Sequence, residues 1–222
     1  MTLEARRMAE NRMGRFGMIT IGAIITILAV SGGAFVIAGA NPIAAYEAYF
    51  ITPLTREFTL LEVLNKATPI LFTGTAVAIA FRAGYWNIGV EGQLLMGAVA
   101  AAGIGQLVHG WPALVVLPLM VGAGARAGAA WALVPALLRV RLGIDEVVTT
   151  LLINPVALLV VQGLLHGPWK DPETGFPESP RIAEAAEFPH LSEFIPLIGR
   201  SRLHLGFVIA VVLIIVAWYL LS

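Results

Sequence analysis

A stretch without any charged side chain, from Phe16 to Tyr46, is the feature that most limits what this chain can form. A helix needs about 20 predominantly apolar residues to cross the hydrocarbon core of a bilayer, and this stretch is longer. A secretory signal peptide has an apolar region of only about 7–15 residues before its cleavage site. We therefore expect a retained membrane-spanning helix here rather than a cleaved leader.

The composition extends this expectation to the whole chain. Of its 222 residues, 58% are hydrophobic and 13% are charged, and the mean hydropathy is +0.84. A typical soluble domain has about 25% charged residues. The sequence therefore predicts an all-α fold, a polytopic transmembrane helical bundle. A formal net charge of zero gives no basic surface for nucleic acid, and the absence of cysteine excludes disulfides, cysteine-ligated zinc and thiol catalysis.

About six spans are predicted, because apolar runs alternate with charged or proline-containing segments. The second is short: Lys66 and Arg82 bracket it, so its helix either begins earlier, near Leu60, or stops short inside the protein. The last begins near His204, and the chain ends inside it at Ser222, which indicates a C-terminal truncation. The predicted spans cover approximately residues 16–40, 66–82, 88–109, 113–138, 147–166 and 204–222.

Charge sets the expected orientation and the domain division. The positive-inside rule places the N-terminus in the cytoplasm, because four arginines precede the first span: Arg6, Arg7, Arg12 and Arg15. We expect residues 1–15 to be a cytoplasmic N-terminus and residues 16–222 to be the transmembrane domain. Residues 41–65 are expected outside, with a short interfacial helix, and the proline-rich residues 167–203 form a long outer loop.

The segment from Phe81 to Gly97 is unusual for an apolar surrounding. It combines polar side chains with glycines, namely Arg82, Asn87, Glu91 and Gln93 with Gly84, Gly89, Gly92 and Gly97. Irregular backbone at membrane depth persists only where protein or a water-filled cavity satisfies it, and transporters build mid-membrane sites from broken helices. A broken or re-entrant segment is therefore predicted near residues 81–97. We expect the Glu91 carboxylate to accept hydrogen bonds from the freed N–H groups beside it.

The fourth span contains a charge and a glycine pair. An arginine near the bilayer centre costs about 2.5–3.5 kcal/mol on insertion scales, so Arg126 is expected to face the bundle. Pairing with Glu91 is disfavoured, because counting at 1.5 Å per residue places the two about 9 Å apart in depth. Gly124 and Gly128 form a small-xxx-small pair, which lets helices pack closely.

Three ordered groups of segments resemble one family. They are Lys66–Gly74 with Phe81–Gln93; Gly143–Thr150 with residues 151–154; and Gly167–Pro172 with Gly175–Pro177 and Ser179-Pro180. Together they resemble the permease subunits of bacterial nucleoside-type ABC importers, within the wider group of branched-chain amino-acid and simple-sugar permeases. The resemblance covers most of residues 16–222. Family members are longer, which agrees with the expected truncation.

The resemblance implies a function and a set of partners. A permease of this kind translocates nucleosides across the bacterial inner membrane by alternating access, as a multi-pass protein in contact with lipid. It implies a separate ABC ATPase subunit, a second permease subunit and an extracytoplasmic substrate-binding lipoprotein. The chain has no GxxxxGK[ST] phosphate-binding loop and no catalytic constellation. It is thus not expected to be an enzyme, and no cofactor or metal is expected on it.

Site residues follow from the same resemblance. The implied substrate path includes Asn87, Glu91, Gln93 and Asn154. The implied ATPase-coupling segment includes Arg141, Gly143, Asp145, Glu146, Thr149 and Thr150, where both acids would pair with arginines of the ATPase and cap the following helix. In the outer loop, Trp169 and Phe176 are candidates for docking the binding protein.

Two departures and several alternatives remain open. The family usually has an aromatic residue after the asparagine of its second motif, whereas Pro155 follows Asn154 here and predicts a kink. Arg126 stands where an apolar or small residue is expected. The first alternative is a sugar or branched-chain amino-acid permease of the same superfamily. The second is an ion-coupled secondary carrier that works alone, and an intramembrane enzyme is a distant third.

Overall fold

A computed structural model describes residues 3–172, 174–196, 199 and 201–222, with side chains described from residue 16 onward. The described part is an all-α helical membrane bundle, as the sequence predicts. The helices are α1 (Leu3–Ile37), α2 (Pro42–Tyr46), α3 (Thr52–Thr55), α4 (Glu57–Arg82), α5 (Val90–Leu107), α6 (Ala113–Leu142), α7 (Glu146–His166) and α8 (Leu205–Leu221). The chain divides into two compact units, Met1–Leu60 and Leu61–Ser222, which are described separately.

Within the first unit, α1 is followed by a short capped helix. The Asn41 side chain accepts a hydrogen bond from the Ile43 N–H at 2.9 Å and so caps α2. The Tyr46 hydroxyl returns to α1, where it donates to the Leu28 carbonyl and lies 2.9 Å from the Ser31 hydroxyl. A π-helical turn, Glu47–Ile51, connects α2 to α3. The interfacial helix expected after the first span is therefore a series of short turns.

The helix α4 settles the question of the short second span. It begins at Glu57, before Leu60, so the helix starts early rather than stopping inside the protein. It ends at Arg82, and Gly84 follows with a φ of +79°, the left-handed conformation that glycine adopts without a Cβ penalty. The Tyr85 N–H then bonds the Ala80 carbonyl at 2.9 Å, which closes the last turn.

Glycines bring α5 and α6 into close contact. A Cβ added at Gly97 would lie 3.0 Å from the Gly124 carbonyl oxygen, and one at Gly128 would lie 3.1 Å from the Gln93 carbonyl oxygen. Backbone atoms on the far side cannot move away as a flexible side chain can. The close helix packing predicted for Gly124 and Gly128 is therefore present, with α5 as the partner.

The start of α7 is set by two local signals. Gly143, at φ +67°, ends α6, and the Ile144 N–H bonds the Leu138 carbonyl at 3.3 Å. Asp145 then caps α7 by accepting from the Val147 N–H at 2.8 Å. The helix continues through Pro155 to His166.

The segment between α7 and α8, named the outer segment after its predicted location, folds back onto the membrane helices. Antiparallel pairing joins His190 to His204, and the Leu191 N–H bonds the Leu203 carbonyl at 2.7 Å. A buried apolar cluster, made of Val108, Val116 and Ala186, packs this segment against the end of α5 and the start of α6. The segment is thus an ordered part of the second unit where it is described.

Four helices among the described residues are long and apolar enough to cross a membrane. They are Phe16–Ile37 within α1, Glu57–Arg82, Ala113–Leu142 and Glu146–His166. The helices α5 and α8 are apolar but fall outside that set. The six-span topology therefore remains a prediction.

Single cysteines test this topology, because residues 1–222 contain none. Phe176 and Val140 are 69% and 82% exposed, so a thiol at either position is open to reagent. In the full-length protein we expect Phe176→Cys to react with a membrane-impermeant maleimide in intact cells. We expect Val140→Cys to react only after permeabilisation. The reverse pattern would contradict the predicted orientation.

Candidate functional site

The non-helical residues between α4 and α5 are tied to α7 by side-chain hydrogen bonds. The Ile88 N–H donates to the Thr150 hydroxyl at 3.2 Å, and the Asn154 amide donates to the Ile88 carbonyl at 3.2 Å. Asn154 Oδ1 also accepts the Gly92 N–H at 3.0 Å, in the first turn of α5. The two polar side chains of α7 therefore replace backbone partners that a continuous helix would have provided.

A pair of side-chain amides lies on the other side of this segment. Asn87 Nδ2 donates to Gln93 Oε1 at 3.2 Å, and Gln93 Nε2 donates back to Asn87 Oδ1 at 3.1 Å. The same Asn87 oxygen accepts the Gly89 N–H at 3.0 Å. Asn87 is 8% exposed, so this exchange fixes the orientation of both amides in a buried place.

Two glycines permit the contact with α7. A Cβ added at Gly89 would lie 2.8 Å from the Thr150 carbonyl oxygen, a backbone atom. A Cβ at Gly92 would lie 2.9 Å from both Asn154 Oδ1 and Trp131 Nε1. Neither place has room for a side chain, so glycine at both positions is required by close approach.

The expected hydrogen-bonding role of Glu91 is wrong in this structure. Its side chain is exposed, and the acceptors for the neighbouring N–H groups are Asn154 for Gly92 and Asn87 for Gly89. The reason is the geometry of a first helical turn: the N–H groups point back along the axis, toward α7 and Asn87, while the Glu91 side chain points outward.

The start of α7 contains an ion pair within the chain. Arg139 Nε lies 3.0 Å from Glu146 Oε2, and the Glu146 side chain is 10% exposed. The expectation that Glu146 pairs with an arginine of another subunit therefore meets a competing partner already present on α6. Asp145 is exposed at its capping position and has no such partner among the described ion pairs.

The other residues of the implied coupling segment divide into two groups. Arg141 and Gly143 are exposed at the end of α6. The Thr149 hydroxyl bonds the Asp145 carbonyl at 3.0 Å, within α7, whereas Thr150 is fully buried against Ile88. Only part of the segment is thus available to a partner.

Tyr85 lies near the same ion pair. Burial, and then the nearby Glu146 carboxylate, raise the pKa of the Tyr85 phenol above its ordinary value. Its buried hydroxyl has no hydrogen-bond partner among the described residues. The phenol therefore stays neutral beside the Glu146 carboxylate.

A cavity of about 910 Å³ opens in the second unit, between α4, α5, α6 and the outer segment. That volume is in the range of small-molecule sites. Its wall is mostly apolar, with a few polar side chains: Asn65, Gln93, Glu187, His190, Arg202 and His204. Among the implied substrate-path residues, Gln93 is the one that lines it. Asn87 does not line the cavity but is hydrogen-bonded to Gln93, and Asn154 is bonded to the backbone of Ile88 and Gly92.

The two histidines stand where the outer segment meets α8. His204 Nδ1 accepts the Gly206 N–H at 3.1 Å and so caps α8, which requires a ring without a proton on that nitrogen. The ring also stacks on Phe188 at 6.0 Å between centroids. The cap therefore forms one ordered wall of the cavity at neutral pH.

The two docking candidates of the outer loop differ in exposure. Trp169 packs on α5, where its ring atoms would lie 3.3 Å from a Cβ added at Gly103. Phe176 is 69% exposed. Docking is left untested for both, but Phe176 is the side chain open to a partner.

Arg126 is exposed rather than enclosed by the bundle. The packed face of α6 is defined by Gly124 and Gly128, and a residue midway between them on a 3.6-residue helix points to the opposite side. In the described part of the chain, Arg126 forms no ion pair with Glu91.

Several residues of this site have no signal in the sequence. Asn65 lines the cavity and its Oδ1 is buried without a partner among the described residues. Trp131 likewise has a buried, unpartnered Nε1 beside Gly92. Arg139, the ion-pair partner of Glu146, is also absent from the predicted site.

Comparison with known proteins gives a consistent result. A family model described as branched-chain amino acid transport system / permease component matches residues 59–222. The glucose ABC transporter permease protein TsgB13 of Haloferax volcanii is 38% identical over 204 residues, which cover 90% of this chain and 53% of that protein. No solved structure matches significantly.

Two further relatives are similar over comparable lengths. The guanosine ABC transporter permease protein NupP of Bacillus subtilis is 31% identical over 212 residues, covering 94% of this chain and 59% of that protein. The nucleoside ABC transporter permease protein NupB of Lactococcus lactis is 29% identical over 204 residues, covering 90% and 53%. The chain thus spans about half the length of the curated relatives it matches.

Proposed function

The chain belongs to the family of branched-chain amino acid transport system permease components, and from this membership we propose that it forms part of the membrane-embedded permease of an ATP-driven importer. The family match over residues 59–222 is the observation that supports this proposal most. ATP hydrolysis then belongs to a separate subunit, and this chain contributes the path for substrate rather than a catalytic site.

Nucleosides are the substrate class we propose. Two relatives are named as guanosine and nucleoside permeases, and the motif resemblance points the same way. The cavity wall suits a neutral molecule with one apolar face and several hydroxyls, because its surface is mainly apolar with side-chain amides at Gln93 and Asn65. Its charged side chains, Glu187 and Arg202, have opposite signs.

A sugar is the second candidate, since a relative with 38% identity is named as a glucose permease. A sugar offers hydroxyls to the same amides but lacks the flat apolar face that a base presents to the wall. An ion-coupled carrier is less favoured, because none of the named relatives is described as one.

In the proposed mechanism, the side chains of this chain bind and orient substrate while the cavity alternates between the two membrane faces. Gln93 contacts substrate, and Asn87 holds the Gln93 amide in a fixed orientation. Glu91 and Asn154 stand beside the same path. The proposal places the protein in the plasma membrane with a cytoplasmic N-terminus.

The partners follow from the same proposal. An ABC ATPase docks at the exposed end formed by Arg141, Gly143 and Asp145, a second permease subunit completes the membrane part, and a substrate-binding lipoprotein docks outside near Phe176. Asp145→Lys alone is the variant that tests ATPase docking, because Glu146 is paired to Arg139 within the chain.

Transport by the reconstituted complex tests the function. Proteoliposomes are prepared with the full-length permease, its ATPase, its second permease and its binding protein. Uptake of radiolabelled guanosine, glucose and leucine is then compared in the presence and absence of ATP on the ATPase side of the membrane. We expect ATP-dependent guanosine uptake that excess unlabelled adenosine suppresses and excess glucose does not. An ionophore that collapses ion gradients should leave it unchanged.

Two results would contradict parts of the proposal. Uptake of glucose in preference to guanosine would assign the sugar alternative. Uptake that needs an ion gradient and no ATP would assign a secondary carrier and reject the importer.

A further inference from the structure

The segment between α4 and α5 connects two places that the proposed function treats separately. One is the start of α7, where force from an ATPase would arrive. The other is Gln93 on the cavity wall. The connection is made of short, directional contacts, and each can be followed atom by atom.

The first contact joins the start of α7 to the segment. The buried Thr150 hydroxyl lies 2.6 Å from the Glu146 carbonyl oxygen, to which it donates, and it accepts the Ile88 N–H at 3.2 Å. Glu146 is itself held by Arg139. A hydroxyl that donates to one element and accepts from the other resists separation of the two.

The second contact resists compression. Gly89 approaches Thr150 so closely that an added Cβ would lie 2.8 Å from its carbonyl oxygen and 3.0 Å from its Cβ. With backbone packed against backbone, the segment has no free space in which to yield when α7 moves toward it.

The third contact reaches the cavity. Asn87 Oδ1 accepts from the Gly89 N–H and from Gln93 Nε2, and Asn87 Nδ2 donates to Gln93 Oε1. The amide that faces the cavity is thus oriented by a side chain whose own position depends on the backbone beside Thr150.

We propose that residues 87–93 act as a rigid link, which transmits displacement of the first two turns of α7 to the Gln93 amide in the cavity. Thr150 and Asn87 are then positioning residues, and their role in transport is to change the cavity wall when the ATPase moves α7. This inference rests on the proposed importer function and adds the route by which α7 alters substrate contact.

Two different perturbations of the link, each with a matched control, test it in the reconstituted full-length complex. Thr150→Val removes the hydroxyl bonded to Ile88, and its control is Thr73→Val, whose hydroxyl bonds only within α4 among the described contacts. Gly89→Ala places a methyl group against the Thr150 backbone, and its control is Gly163→Ala within α7, where nothing lies within 4 Å of an added Cβ.

The measured quantity is guanosine taken up per ATP hydrolysed. For the loss of one buried hydrogen bond we expect Thr150→Val to lower this ratio about five- to tenfold, with ATP hydrolysis preserved. Gly89→Ala should lower the ratio similarly, whereas Thr73→Val and Gly163→Ala should leave it unchanged. Thr150→Ser, which keeps the hydroxyl, should restore most of it.

Other outcomes are distinguishable. An unchanged ratio in both Thr150→Val and Gly89→Ala would overturn the rigid link. So would an equal fall of uptake and hydrolysis, since that indicates general damage rather than lost transmission. Failure of the importer function itself appears earlier, as absence of ATP-dependent uptake by the unaltered complex.

Discussion

Replacing Asn154 with leucine is expected to destabilise the full-length protein and to reduce the amount assembled in the membrane. The change removes the acceptor of the buried Gly92 N–H and the donor to the Ile88 carbonyl. A buried polar group left without a partner costs about 1–3 kcal/mol. A leucine methyl group at the place of Asn154 Oδ1 would also lie 3.0 Å from the Gly92 nitrogen, which is closer than an apolar contact allows.

The measurement is the thermal midpoint of the purified protein in detergent, together with its amount in membranes. A loss of about 2 kcal/mol lowers the midpoint by roughly 4–8 °C in a domain of this size. Asn154→Asp keeps one acceptor oxygen and should lose less. The structure pairs the Gly92 and Gly89 N–H groups without Glu91, so Glu91→Leu is the matched control, expected to change the midpoint by less than about 1 °C. If Glu91→Leu proved as damaging as Asn154→Leu, the carboxylate would hold the segment after all.

The contrast between Asn154 and Glu91 shows where sequence reasoning succeeds and where it fails. The combination of glycines and polar residues at 81–97 is enough to predict a break in the helix, because a continuous membrane helix is expected to be built mainly from apolar residues. Which side chain satisfies the break depends on a helix 62 residues further along the chain. No local spacing in the sequence encodes that distance.

The helix ends were easier to predict than their contacts. Asp145 was expected to cap the helix that follows it, and α7 does begin directly after Asp145, while α6 ends at its C-cap, Gly143. The glycine pair of α6 also predicts close packing. The pair does not predict that α5 is the helix packed against it, because other helices of the chain also contain small residues.

The surroundings of individual polar residues were predicted least well. Arg126 was expected to face the bundle on energetic grounds, but the glycine face of α6 directs it outward. Asn65 was passed over although it lines the cavity. The energetic cost of burying a polar group predicts that the group has a partner or water. It does not predict on which face of the helix that partner lies.

A charge reversal at Glu146 is the second large effect we expect. Glu146→Lys places an ammonium beside Arg139, whose Nε lies 3.0 Å from the native carboxylate oxygen. Breaking a buried pair costs about 3–5 kcal/mol, but the Arg139 side chain is 49% exposed, so solvent screening reduces our expectation to about 1–3 kcal/mol. The variant should therefore melt several degrees lower and lose ATP-dependent uptake.

The reciprocal exchange separates this pair from a general charge effect. Arg139→Glu combined with Glu146→Lys restores opposite charges at the same two places, and we expect it to recover about half or more of the lost midpoint. Arg141→Glu with Glu146→Lys makes the same net change using an arginine that has no ion pair among the described residues, so it should recover none. Recovery by neither double variant would show that Glu146 acts through another group, and the arginine of a partner subunit would then be its more favoured counterpart. If the midpoint recovers only in the double variant that contains Arg139→Glu, Glu146 is used within the chain. Asp145, exposed at the cap of α7, is then the acid available to the ATPase.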